Sequence, residues 1–122
     1  MNFLFSDPTH FAVNPNTGYV EVLLDSTDFY LPVYLPNGAT ITNCVVKGSL
    51  VDGSETWEFL KRAVNTGDAG TRVATDNINV ASSPSPLEDV DNSAYVYWIR
   101  MSTMDDGDKV FGAQINYTTS NI

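Results

Sequence analysis

Apolar and polar residues alternate along most of this chain with a period of two. Over residues 93–103, Tyr95, Tyr97, Ile99 and Met101 fall on one face and Val96, Trp98 and Arg100 on the other, as successive side chains of a β-strand do. Over residues 109–119, Phe111, Ala113, Ile115 and Tyr117 share a face opposite Gln114 and Asn116. Further runs rich in β-branched and aromatic residues span 2–5, 19–24, 29–35, 40–50, 56–64 and 71–81, with turn-forming residues between them. None holds a helical period; the one candidate, 57–64, fits a strand equally and stops at Asn65-Thr66-Gly67. Pro32 and Pro36 confine the run at 29–35 to a sheet edge or a bulge, because proline lacks the ladder donor. Asp106-Gly107, between the last two runs, reads as a hairpin turn. Residues 82–86 read as a loop long enough to cross between sheets.

These elements predict an all-β fold. It is a single-domain antiparallel β-sandwich, jelly-roll-like, of about eight strands. The sandwich takes residues 9–122, and residues 1–8 form an N-terminal arm or edge strand. In that arm Phe3, Leu4 and Phe5 are adjacent apolar residues. Neighbours on a strand point opposite ways, so one flat sheet cannot bury all three on one side. They fit either the domain's own first strand or a strand added to a neighbour's sheet edge. Trp57 and Trp98 lie on runs that are apolar on both faces. The second face needs a cover, which is a loop, the arm or another subunit. Phe3, Leu4, Phe5, Trp57 and Trp98 are therefore the candidate interface residues.

Charge narrows the partners. Fifteen acidic residues face six basic ones, for a net charge of -9. Nucleic-acid binding needs clustered Lys and Arg to displace counterions, and the basic residues here are scattered. An anionic membrane surface is excluded on the same ground. No apolar stretch reaches the length of a membrane helix. The first residues lack the basic segment and long apolar segment of a signal peptide. Cys44 is the single cysteine, so no intrachain disulfide can form.

One stretch carries a family resemblance. Residues 32–42 read Pro-Val-Tyr-Leu-Pro-Asn-Gly-Ala-Thr-Ile-Thr, followed by the basic strand segment Leu60-Lys61-Arg62. Residues 91–100 read Asp-Asn-Ser-Ala-Tyr-Val-Tyr-Trp-Ile-Arg, and residues 112–118 read Gly-Ala-Gln-Ile-Asn-Tyr-Thr. In order and spacing this resembles a group of bacterial β-sandwich domains with the pattern PVxLPxGATIT, DNSxYxYxIR, GxxIxYT, over most of residues 28–118. The resemblance implies the sandwich fold and no catalytic residue. Domains of that group often follow a secretion signal, and here the chain departs from them.

The catalytic inventory is thin. The one histidine, His10, sits in a run of loop-forming residues beside Pro8. Cys44 falls within a strand with nothing basic near it in sequence, which describes a buried inert thiol. There is no Gly-x-Ser-x-Gly elbow and no phosphate-cradling glycine loop. The chain is therefore expected not to be an enzyme and to need no cofactor. Asp105, Asp106 and Asp108, with Asp89 and Asp91, gather hard oxygen ligands and are candidate calcium ligands. The competing reading is solvated turns, in which Asp accepts local backbone N–H bonds. Aromatics are many, and core packing is expected to absorb about three quarters of them. The rest leave room for stacking on a sugar.

Function is then expected to lie in surfaces. The leading expectation is a structural assembly protein of a virion. It would be a capsid decoration (cement) or head-fibre-type protein, forming a homotrimer that grips the major capsid protein. One alternative is a secreted carbohydrate-binding or adhesion module, which predicts exposed aromatics on a concave face. A second is an extracellular filament subunit that donates its N-terminal strand.

Overall fold

The computed structural model describes residues 11–13, 19–53 and 55–119. Nine strands lie among them. They are β1 (Phe11–Val13), β2 (Val20–Val22), β3 (Thr27–Val33), β4 (Thr40–Ser49), β5 (Thr56–Ala63), β6 (Thr71–Asn77), β7 (Glu88–Asp89), β8 (Tyr95–Met104) and β9 (Lys109–Thr118). The first sheet has the order β1-β2-β9-β4-β7, the second β3-β8-β5-β6, and all described pairings are antiparallel. From β2 onward, 2-9-4-7 laid over 3-8-5-6 is the strand order of a jelly roll, with β1 added at one edge. The all-β antiparallel sandwich expected from the alternation is what the chain forms.

The core lies between the sheets. The first contributes Val20, Val22, Ile41, Cys44, Val46 and Val110; the second contributes Phe29, Leu31, Trp57, Phe59, Ile99 and Met101. Strand β3, which carries Pro32, is an edge strand, as a residue without a ladder donor requires. The segment at 82–86 does cross between sheets, and on the way Ser82 exchanges two backbone hydrogen bonds with Cys44.

Three expectations need correction. Asp106-Gly107 does not close a hairpin: β8 belongs to the second sheet and β9 to the first, so the turn carries the chain across the sandwich. Its amides bond to the β2–β3 region, Gly107 N–H to the Val22 carbonyl and Asp106 N–H to Asp25 Oδ1. Phe111 does not share an inward face with Ala113 and Ile115. The β4–β9 register jumps from Lys47↔Gly112 to Gly48↔Val110, leaving Phe111 as the extra residue of a bulge. It is 54% exposed, while Val110 takes the inward position. The close approach at this bulge needs glycine, since a Cβ on Gly48 would collide with the Lys109 carbonyl oxygen. Third, Trp57 is no interface residue. It is 0% exposed, packed between the sheets, with its indole N–H donated to the Val80 carbonyl. Phe3, Leu4, Phe5 and the predicted strand at 2–5 lie outside the described residues.

Candidate functional site

The outer face of the second sheet is built in cross-strand rows. Strand register sets Tyr30 beside Arg100 and Glu58, and Pro32 beside Trp98 and Leu60, with Val96 opposite Arg62. The two ends of this face differ in chemistry. At one end Glu58 accepts hydrogen bonds from Arg100 on Oε1 and from Arg72 on Oε2. Burial alone would raise the Glu58 carboxyl; the two guanidiniums outweigh it and hold it below the ordinary glutamate value. That charged bridge ties β6, β5 and β8 together.

The other end is a cleft of about 560 Å³. Tyr30, Pro32, Val33 and Tyr34 form one wall, and Val96, Trp98 and Arg62 form the floor and the other wall. Tyr34 stands 84% exposed at the rim. Asn92 closes the rim and is itself held: its backbone N–H donates to Asn37 Oδ1 and its Nδ2 to the Leu35 carbonyl. The Arg62 guanidinium lies 5.7 Å from the Trp98 ring centroid, and its buried Nε has no hydrogen-bond partner. The backbone also comes close to the benzo edge of the indole at Gly70, where φ is +98° and a Cβ would stand 2.6 Å from the Trp98 ring. Trp98 thus packs against both the Arg62 guanidinium and the Gly70 backbone, where only glycine leaves room for the ring. Beneath the floor, Tyr97 stacks on Phe59 at 5.8 Å, and its hydroxyl meets Glu88, which also binds Lys61. The cleft is therefore a mainly aromatic surface with a few directed polar groups, the usual make-up of a small-ligand site.

Fewer aromatics than expected serve the core. Phe29, Trp57, Phe59 and Tyr97 are buried and Tyr95 packs against them, but Tyr30, Tyr34 and Trp98 line the cleft. Tyr19 and Phe111 meet edge to face at 5.9 Å. The sequence flagged these aromatics as a class; Arg62 and Asn92 went unremarked as cleft residues, because only the strand register brings them to it.

The candidate nucleophiles part ways. His10 lies outside the described residues. Cys44 is buried in the core, and burial pushes its thiol up to about 11. Native protein should therefore leave Cys44 unmodified by a thiol reagent at neutral pH, with full reaction only in denaturant. Rapid labelling of the folded chain would contradict that placement.

The candidate calcium ligands also separate. Asp89 accepts the Thr40 hydroxyl, and Asp91 accepts both the N–H and the hydroxyl of Ser93, so these two act as turn and edge residues. Asp106 is exposed. Asp108 is fully buried and caps two backbone amides, Val51 N–H on Oδ1 and Asp105 N–H on Oδ2. Asp105 stands with Asp52 and Glu55, one carboxylate oxygen of each lying within 4.8 Å of the others. Glu55 is buried, and burial, with the neighbouring Asp105 carboxyl, pushes its own carboxyl up to about 8. The sequence reading missed Asp52 and Glu55, which lie on a different loop from Asp105.

No family model, curated protein or solved structure matches the chain. No helix among the described residues is long and apolar enough to cross a membrane.

Proposed function

We propose that the chain is a non-catalytic recognition module that holds a neutral carbohydrate in the aromatic cleft of the second sheet. The observation that carries this reading is the cleft itself, about 560 Å³ of concave surface with Tyr34, Trp98 and Pro32 presented beside Arg62 and Asn92. Flat apolar rings offer a stacking face to a sugar ring, and the guanidinium and carboxamide offer hydrogen bonds at its edge. The net charge of -9 disfavours a polyanionic ligand and leaves a neutral one favoured. The buried, unreactive Cys44 fits a protein that binds rather than transforms. An oligosaccharide screen followed by titration calorimetry tests the reading. Tyr34→Ala removes an exposed ring at no cost to the core and should weaken binding about tenfold, the scale of one good aromatic contact, with the melting temperature unchanged. The reading fails if no neutral oligosaccharide binds at millimolar concentration.

A second reading is assembly on a particle, as a homotrimeric decoration or cement protein on a major capsid protein. Exposed apolar residues away from the cleft favour it, among them Leu24, Val51, Leu87 and Phe111. It calls for a trimer in solution by light scattering; a monomer at high concentration removes its support.

A further inference from the structure

We propose that Asp52, Glu55 and Asp105 form a binding site for a divalent cation of the calcium type, at the opposite end of β8 from the aromatic cleft. The site is built from two loops. The β4–β5 loop supplies Asp52 and Glu55, and the turn that crosses from β8 to β9 supplies Asp105. One oxygen from each lies within 4.8 Å of the other two. Oxygens at calcium's usual bond length, about 2.3–2.6 Å, sit at such separations around one ion.

Proximity of acids alone would say little, since exposed carboxylates often cluster. The deciding observation is Glu55. Its residue is only 5% exposed, and its Oε2 is buried with no hydrogen-bond partner. A buried carboxylate oxygen without a donor is costly, and native folds rarely tolerate one unless something satisfies it. The groups that face Glu55 are two further carboxyls, those of Asp105 and Asp108, and neither offers a donor when ionised. Five of the six basic residues have partners elsewhere: Lys61 with Glu88, Arg72 and Arg100 with Glu58, and Arg62 and Lys109 over aromatic rings. A cation bound among the three carboxyl groups would satisfy the orphaned oxygen. Asp52 is exposed and Asp105 half-exposed, so the remaining coordination positions face water. Asp108 is not offered as a ligand. Both its oxygens already hold backbone amides, one from each loop, and it acts as the positioning residue that keeps the loops together.

The site is separate from the proposed carbohydrate cleft. About 25 Å of extended strand separates Tyr97 from Asp105, so failure of one proposal leaves the other standing. The test is calcium chloride added to the full chain after treatment with EDTA, read by calorimetric titration and by the melting temperature. One calcium per chain should bind. At a hundred times the dissociation constant it should raise the folded-to-unfolded ratio about a hundredfold. Glu55→Gln should fold and lose the response, Asp105→Asn should do the same, and Asp106→Asn, on the exposed side of the turn, should keep it. The proposal is overturned by no heat and no thermal shift at several millimolar calcium, or by a response that survives in both Glu55→Gln and Asp105→Asn.

Discussion

Trp57→Ala should cost the domain about 3–5 kcal/mol, the range for removing a large buried aromatic side chain. The residue is the largest of the fully buried side chains, and it sits on β5, the central partner of both β6 and β8. Its cross-strand neighbours are Asp76 and Met101, and its indole N–H is donated to the Val80 carbonyl beyond the end of β6. Truncation would therefore leave a cavity bounded by two strands that cannot move independently. It would also release the segment after β6 from its anchor. For a domain whose whole stability is of order 5–15 kcal/mol, that is a large share. The expected drop in melting temperature is roughly 10–20 °C, and urea unfolding should report the same loss with the slope unchanged. Trp57→Phe keeps most of the volume and loses only the indole bond, so it should retain most of that stability. A cost under 1 kcal/mol for Trp57→Ala would contradict its place in the core.

The contrast between the two tryptophans shows where the sequence was legible. Both sit on strands whose two faces are apolar, and alternation alone could not say which ring points inward. The strands themselves stood out because a period of two is a local property. Inward positions such as Tyr97, Ile99 and Met101 followed directly from it. What sequence could not supply was the connection between strands. Asp106-Gly107 has the chemistry of a tight turn, yet that chemistry serves a crossing between sheets as well as a hairpin. Phe111 was misplaced because a bulge adds one residue and reverses the phase beyond it, and nothing in the local pattern marks it. The short strand β7 and the strand β1 carry too few residues to show any period. Both sites depend on these non-local features. Pro32, Trp98 and Arg62 meet only through the register of β3, β8 and β5, and Glu55 meets Asp105 only because the β8–β9 turn crosses to the β4–β5 loop.

That crossing depends on one carboxylate, and Asp108→Ala should be nearly as damaging as Trp57→Ala. Asp108 is 0% exposed, and its two oxygens take the N–H of Val51 at 2.8 Å and the N–H of Asp105 at 2.8 Å. Its backbone is held as well, since its carbonyl accepts Val22 N–H. One side chain thus joins the β4–β5 loop to the β8–β9 turn, while its backbone joins that turn to β2. Hydrogen bonds to a charged acceptor contribute about 1.5–3 kcal/mol each, and truncation leaves the donors without a partner. The expected loss for Asp108→Ala is therefore about 3–5 kcal/mol. Asp108→Asn retains one carbonyl acceptor and turns the other position into a donor facing the N–H of Asp105 or of Val51, so it should recover at most half. Amide hydrogen exchange separates this account from a general loss of packing. Protection should collapse first at Val51 and Asp105 in both variants, while amides of the β5–β8 ladder keep their rank order. Equal loss of protection across both sheets, or an Asp108→Asn variant as stable as the parent, would mean that the buried carboxylate does not hold the two loops together.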